Sequence, residues 1–227
     1  MMRDEVVRLG TVTLRYRVAG VGPTLLHVNQ DRPRRLLHLR GLVDICRVVQ
    51  IDPIGFGRSD RPLTERAIPP LTDQVAAVLD VERVRDCVGW GYSQGAAMTA
   101  LAASADSRFS GAIYGGSTVA HQMTEAEYRR VQQGASVPIA SKHFWKQFMA
   151  IDWETELKAA SMPTLLYLGA LDQRRVSKLE RHSEIYSSRL MTTVILEDVD
   201  HRQCNEDPAL TARVIPLVRS WLQEIAA

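Results

Sequence analysis

The stretch Gly89-Trp90-Gly91-Tyr92-Ser93-Gln94-Gly95-Ala96-Ala97 decides how this chain folds. A short apolar run at Arg85–Gly89 reads as a β-strand, and small helix formers from Gly95 to Ala103 follow the serine. So abrupt a change from strand to helix leaves only a sharp turn, in which side chains two residues either side of Ser93 would collide. Glycines fill both of those positions. The pattern predicts a strained serine whose hydroxyl projects above a sheet edge, over the N-terminus of a helix.

Short apolar runs alternate with amphipathic stretches along the rest of the chain, which is typical of an α/β fold with a mostly parallel sheet. We predict further strands at Glu5–Leu9, Thr11–Val18, Thr24–Val28, Cys46–Ile51, Phe109–Tyr114, Thr164–Leu168 and Thr192–Leu196. We predict further helices at Arg34–Leu42, Leu71–Leu79 and Pro208–Ile225. One segment is an exception to this alternation.

That exception is the segment from about 120 to 158, which is helical and polar but carries bulky aromatic residues such as Phe144, Trp145 and Phe148. A plain crossover between two parallel strands needs far fewer residues. We therefore predict a small helical cap inserted between two strands of the sheet. The alternative is a set of ordinary crossover helices whose aromatic side chains fill the core.

A serine hydroxyl becomes a nucleophile only when a base removes its proton. In a serine site of this strand–turn–helix type, the acid and the histidine come later in the chain, in that order, each in a loop after a strand. Asp172 follows the predicted strand Thr164–Leu168, and His201 follows Thr192–Leu196. We predict Ser93 as nucleophile, His201 as base and Asp172 as the acid that orients the histidine.

Two other acids and several other histidines are candidates for the same roles. Asp198 and Asp200 are alternatives for the acid, although Asp200 adjoins the histidine. The remaining histidines lack a comparable position after a strand, and we expect most of them at the surface: His38, His121, His143 and His182. His121 and His143 fall near or within the predicted cap, where lining a pocket is the alternative.

The composition places limits on the class of protein. A chain of 227 residues suits one domain, 1–227, with a sizeable core. Its 28 basic and 26 acidic residues give a net charge of +2, which favours neither a nucleic acid nor a membrane surface as partner. We interpret the arginine clusters Arg32–Arg35 and Arg174–Arg175 as solvated charge, because no aromatic residues are interleaved with them.

Cysteine usage and the N-terminal sequence indicate the compartment. Three cysteines, an odd number, match neither a zinc site nor a disulfide framework: Cys46, Cys87 and Cys204. The charged N-terminus has no apolar core of a signal peptide, and the longest apolar runs have the length of strands. We expect a cytoplasmic protein.

These motifs together give the chain a resemblance to the α/β-hydrolase superfamily over nearly its whole length. It looks most like the cap-bearing group of small esterases, lactonases, carbon–carbon bond hydrolases and cofactor-free haloperoxidases. Asp52-Pro53-Ile54-Gly55-Phe56-Gly57-Arg58-Ser59-Asp60 is similar to the family's loop after the fourth strand, and Pro163-Thr164-Leu165-Leu166 to its approach to the acid. The resemblance implies a central eight-stranded, largely parallel sheet with the site at the carboxyl ends of the strands.

The sequence departs from the family pattern after the third strand. The family usually carries His-Gly there, and the residue after that glycine donates an N–H to the oxyanion hole. Here Val28 follows His27, so by position the N–H groups of Asn29 and Gln94 would bind the oxyanion. Because a β-branched residue restricts the backbone, a side-chain amide from Asn29 or Gln30 is the alternative donor.

The resulting prediction is a serine hydrolase for a small to medium carboxylic ester or lactone, working through an acyl-enzyme without metal or organic cofactor. Carbon–carbon bond cleavage on the same three residues and a ligand-binding protein without turnover are the alternatives. Residues expected to line the pocket are His27, Val28, Gln30, Phe56, Tyr92, Phe144, Trp145 and Phe148. Trp90 is a further candidate, with packing against the sheet as its alternative. Since most cap-bearing relatives are longer, we expect either an open pocket or one completed by a second subunit of a homodimer.

Overall fold

A computed structural model describes residues 2–29, 39, 41–206 and 208–226. Its centre is a sheet of eight strands in the order β1-β2-β4-β3-β5-β6-β7-β8. β2 pairs antiparallel with β1 and with β4, and every other pair is parallel. The strands are β1 Arg3–Leu9, β2 Val12–Ala19, β3 Thr24–Val28, β4 Arg47–Asp52, β5 Cys87–Tyr92, β6 Phe109–Gly115, β7 Thr164–Gly169 and β8 Met191–Leu196. The predicted eight-stranded, largely parallel sheet is confirmed.

Helices cover both faces of this sheet. The α-helices are α1 Leu71–Val81, α2 Gln94–Ala105, α3 Glu125–Gln133, α4 Ile139–Phe148, α5 Trp153–Ala159, α6 Gln173–Arg181, α7 Ser183–Tyr186 and α8 Ile215–Ile225. Short 3-10 helices lie at Glu65–Ala67, Val119–His121 and Gln203–Asn205. None of the helices in the described ranges has the length and apolar character that crossing a bilayer requires. The predicted helix over Arg34–Leu42 falls mostly outside the described residues.

The sheet separates two apolar cores because its central strands are buried on both faces. Alternate residues of β3 show the division: Leu26 lies in the core under α1 and α2, while Leu25 lies in the core under α8. The residues of β5 follow the same alternation, and its aromatic side chains, Trp90 and Tyr92, lie on the α8 face. The carboxyl end of β5, where the chain turns into α2, is therefore held from both sides.

The C-terminal helix is not the single α-helix predicted over Pro208–Ile225. It opens with a wider π-helical turn at Leu210–Val214, and α8 begins at Ile215. Pro216 in the first turn of α8 explains the change. Proline has no N–H, and in a regular helix its ring would collide with the carbonyl four residues earlier.

The segment between β6 and β7 is helical, as its sequence indicates, and consists of the 3-10 turn at Val119–His121 followed by α3, α4 and α5. The pocket predicted for its aromatic residues is not where they lie. Phe144, Trp145 and Phe148 are 3%, 6% and 1% exposed, and pack on one another and on Trp153 in the core shared with α2. These rings fill the core, because α4 packs directly against α2.

Candidate active site

Ser93 occupies the turn between β5 and α2 in a strained backbone conformation, with φ of +55° and ψ of −117°. L-residues rarely adopt such a conformation, and it persists only where the surroundings enforce it. A Cβ at Gly91 would lie 2.0 Å from the carbonyl oxygen of Gly95, so the strand can approach the helix this closely only with glycine. The N–H of Ser93 donates to the carbonyl of Gly115 at 2.7 Å, which fixes the turn to β6.

Three side chains from distant parts of the chain meet at this turn. His201 Nε2 lies 3.1 Å from Ser93 Oγ. His201 Nδ1 lies 2.9 Å from Asp172 Oδ2. Asp172 stands at the N-cap of α6 directly after β7, and His201 follows β8, so both reach the carboxyl ends of the parallel strands. The structure thus brings together the residues that the sequence predicts as nucleophile, base and acid.

The carboxylate of Asp172 is buried and doubly bound. Burial by itself raises the pKa of this carboxyl, but the hydrogen bond from His201 and the charge of Arg175 outweigh it, and the pKa lies below its ordinary value. Arg175 Nη1 donates to Asp172 Oδ2 at 3.0 Å, and the arginine side chain is only 15% exposed. The interpretation of Arg175 as solvated charge is therefore wrong. Its spacing of three residues from Asp172 on one helix was the signal available in the sequence.

The loop that carries His201 is fastened at two points. Asp200, an alternative acid in the sequence, instead accepts hydrogen bonds at 2.8 Å from the N–H groups of Arg202 and Gln203. The hydroxyl of Tyr92 donates to the carbonyl oxygen of His201 and lies 3.4 Å from its Nδ1. Tyr92 thus helps to position the histidine and does not line an open pocket.

Asn29 does not present its N–H as the sequence predicts. The strand pairing of β3 with β4 continues one residue past Val28, so the N–H of Asn29 donates to the carbonyl of Ile51 at 2.9 Å. The Asn29 side-chain amide donates to Asp52 Oδ1 at 2.6 Å. The N–H of Gln94 is different, because it opens α2 and first-turn N–H groups have no acceptor within their helix. Gln30, the other predicted amide donor, lies outside the described residues.

The remaining predicted pocket residues lie around the site in different environments. Val28 is fully buried in the core under α2, and Phe56 packs against the same core. His27 lies on the opposite face of the sheet, edge-on to Trp90, with its Nδ1 3.0 Å from Gln50 Nε2. Trp90 is buried and donates to Tyr167, so its role is packing against the sheet.

Comparison with known proteins supports the fold. No family model and no curated protein matches the sequence. A bromoperoxidase structure from Bacillus anthracis aligns over 97% of this chain and 100% of its own, with 14% identity and a TM-score of 0.76. An esterase from Thermogutta terrifontis aligns over 99% of this chain and 100% of its own, with 21% identity and a TM-score of 0.68. An N-acyl homoserine lactone degrading enzyme aligns over 95% of this chain and 99% of its own, with 21% identity and a TM-score of 0.66. The chain has the α/β-hydrolase fold.

Proposed function

We propose that this protein is a serine hydrolase that acts on a small to medium carboxylic ester or lactone. The observation that carries the proposal is the continuous contact from Ser93 Oγ through the His201 ring to Asp172 Oδ2, with separations of 3.1 and 2.9 Å. A nucleophile, a base within hydrogen-bond reach and an acid that orients the base are the parts that acyl transfer through serine requires.

The chemistry follows from the hydrogen bonds of the histidine. With its Nδ1–H donated to Asp172, the neutral ring turns the lone pair of Nε2 toward Ser93 Oγ. As Oγ attacks the acyl carbon, its proton passes to Nε2, and Asp172 stabilises the imidazolium. The same proton leaves with the alcohol, which gives an acyl-enzyme. Water, deprotonated by His201, then attacks the acyl carbon, releases the acid and restores the serine.

The N-terminus of α2 supplies the first stabilisation for the oxyanion of the tetrahedral intermediates. The Gln94 N–H and the positive end of the helix dipole lie next to the nucleophile, where negative charge develops. A second donor at Asn29 would require its N–H to leave Ile51, and the energy of that sheet hydrogen bond would be lost. We therefore assign the Gln94 N–H as the principal donor.

Ester and lactone substrates are the class we favour. The structures similar to this chain include an esterase and an enzyme that degrades N-acyl homoserine lactones. Both substrates contain an acyl carbon bound to an alkoxy oxygen, which is the group that Ser93 and His201 are arranged to attack. Ser93 is half-buried, and we expect it to take substrates of modest size.

Covalent labelling with a fluorophosphonate tests the serine mechanism directly. We expect wild-type protein to be labelled at one site, and Ser93→Ala and His201→Gln to lose the label. Ser110→Ala removes an exposed serine hydroxyl that binds Asp86, and it should label like wild type. Absence of labelling at every pH, or labelling that persists in Ser93→Ala, would refute the proposal. Hydrolysis rates for p-nitrophenyl esters of increasing chain length and for lactones would then define the substrate.

The bound N–H of Asn29 favours one other function, a ligand-binding protein that keeps the fold but does not turn substrate over. Losing one oxyanion donor slows acyl transfer by about a hundredfold or more. In that case the serine would accept the fluorophosphonate while ester turnover stayed at the background rate. Steady hydrolysis that depends on Ser93 excludes this alternative.

A further inference from the structure

A second cluster of reactive side chains lies away from Ser93, where the helices between β6 and β7 meet the body of the protein. His121 ends the 3-10 turn after β6, Glu154 lies in the first turn of α5, and His182 joins α6 to α7. One ligand atom from each of the three lies within 4.8 Å of the others. A cavity of about 200 Å³ borders His121 and Glu154.

The hydrogen bonds of Tyr186 determine which nitrogen of His121 carries a proton. The single hydroxyl proton of Tyr186 goes to the carbonyl oxygen of Thr118. Toward His121 Nδ1, 3.1 Å away, the same hydroxyl can only accept, so Nδ1 carries the hydrogen. The neutral ring therefore turns a bare lone pair at Nε2 toward Glu154 Oε1, 3.1 Å away. Two lone pairs that face each other repel unless a cation lies between them.

The distance between His121 Nε2 and Glu154 Oε1 suits a metal ion shared by the two atoms. Two ligand atoms of a tetrahedral zinc ion lie about 3.3 Å apart, given metal–ligand bonds near 2.05 Å. The observed separation of 3.1 Å is close to that value, so little movement would bring both atoms onto one ion. A proton can bridge only two of the three side chains, whereas a metal ion can bind one atom of each.

We propose that His121, Glu154 and His182 bind a divalent first-row transition metal ion such as Zn²⁺, in a structural site separate from Ser93. Two imidazoles and a carboxylate form a donor set that suits such ions. The Nδ1–H of His121 on Tyr186 is the outer hydrogen bond that a ligating histidine usually makes.

Binding requires a local adjustment of His182. The rings of His121 and His182 are stacked, with centroids 3.5 Å apart and planes at 15°, so one ring must turn for both to direct a nitrogen at one ion. His182 is half-buried where α6 meets α7, and the adjustment we propose is a rotation of its ring about the χ angles. The positive charge of Lys178 disfavours a second cation nearby. Its ammonium donates a hydrogen bond to the carbonyl oxygen of His121 at 2.5 Å.

A metal at this position would join two parts of the chain. His121 and Glu154 belong to the helical segment between β6 and β7, whereas His182 follows α6 in the body. α6 begins next to Asp172, and its nine residues span about 13 Å at a rise of 1.5 Å each. The ion would thus lie far from the reacting atoms and act by holding the segment in place, and it would stabilise the folded state by mass action.

Titration of the chelator-treated, full-length protein with zinc chloride, followed by calorimetry and by thermal unfolding, tests this site. We expect one Zn²⁺ per chain at low-micromolar or tighter affinity, with a higher unfolding temperature. His182→Gln and Glu154→Gln should each weaken binding by more than about tenfold. The matched control is His143→Gln, which removes a histidine of α4 near Glu65 and should bind as wild type does. A cobalt(II) spectrum with tetrahedral d–d bands should appear in wild type and disappear in His182→Gln.

Failure to bind zinc in wild type would overturn the proposal, as would equal affinity in wild type and His182→Gln. Fluorophosphonate labelling of Ser93 in the same samples separates this result from the proposed hydrolase function. We expect labelling to persist after chelation, because the two sites share no residue.

Discussion

Arg175 Nη1 lies 3.0 Å from Asp172 Oδ2, the same carboxylate oxygen that His201 Nδ1 approaches at 2.9 Å. A guanidinium and an imidazole thus share one acceptor. The positive charge helps to keep Asp172 ionised, and so maintains the carboxylate that orients the imidazole. Arg175 therefore influences the base through the acid.

Arg175→Gln should move the acid limb of the kcat/KM profile to higher pH. Arg175 helps to hold the pKa of the Asp172 carboxyl below its ordinary value, so removing the guanidinium raises that pKa, and the carboxylate that orients His201 is lost at a higher pH. The measurement is the pH dependence of kcat/KM for a p-nitrophenyl ester, in which the acid limb of Arg175→Gln should lie at higher pH than that of wild type. Arg174→Gln is the control, because Arg174 is more exposed and pairs with Glu127. An unchanged limb in Arg175→Gln, or the same shift in both variants, would contradict this role.

Ser93→Gly should produce a protein that is more stable than Ser93→Ala by about 1 kcal/mol, although neither has a nucleophile. The φ of +55° and ψ of −117° strain any residue with a Cβ, and glycine releases that strain. Part of the gain is lost to the greater freedom of glycine in the unfolded chain. Free energies of unfolding from urea titrations measure the difference. Equal or lower stability of Ser93→Gly would show that the turn stores no strain.

Gly91→Ala should destabilise the protein by more than about 2 kcal/mol and abolish labelling of Ser93. The added Cβ would lie 2.0 Å from the carbonyl oxygen of Gly95 and 2.6 Å from the nitrogen of Ala96, and because both are backbone atoms they cannot move aside at low cost. Gly111→Ala on the neighbouring β6 is the matched control. Its Cβ would lie 3.4 Å from the nearest atoms, so we expect a loss below about 1 kcal/mol in thermal unfolding. Comparable losses in the two variants would argue against a steric requirement at Gly91.

Asp52→Ala should cost about 2–3 kcal/mol of folding stability, because the buried carboxylate holds two segments together. Its oxygens accept from Asn29 Nδ2 at 2.6 Å and from the N–H of Arg58 at 3.1 Å. Asp4→Ala also removes a partner of Arg58, but at an exposed position, and should cost less than about 1 kcal/mol. Chemical denaturation compares the two. A loss at Asp52 no larger than at Asp4 would refute a structural role for the carboxylate.

The parts of the site that could be predicted from sequence are those set by strand order. Asp172 and His201 each follow a parallel strand, and the carboxyl ends of such strands meet at one edge, so their proximity to Ser93 follows from topology. Interactions that depend on the register between strands could not be predicted from the sequence. Whether the N–H of Asn29 faces a ligand or Ile51 depends on where β3 stops pairing with β4, which the residue types do not determine.

Side-chain environment was the other limit. The spacing of Phe144, Trp145 and Phe148 indicates a helix with an apolar face, but not whether that face covers a pocket or fills a core. The cluster at His121, Glu154 and His182 shows the same limit more strongly, since its members come from three separate elements. The spacing of Arg175 from Asp172 indicates their contact only once a helix is known to begin at residue 173.

The bond between the Tyr92 hydroxyl and the carbonyl of His201 ties the proposed base to the strand that ends at the nucleophile. This bond holds His201 close to the end of β5, where Ser93 lies. Aligning the imidazole with the serine hydroxyl therefore requires little reorganisation energy when a substrate binds. Any induced fit must therefore come from residues of the site other than Tyr92 and His201. Engineering for new substrates is best directed at those other residues.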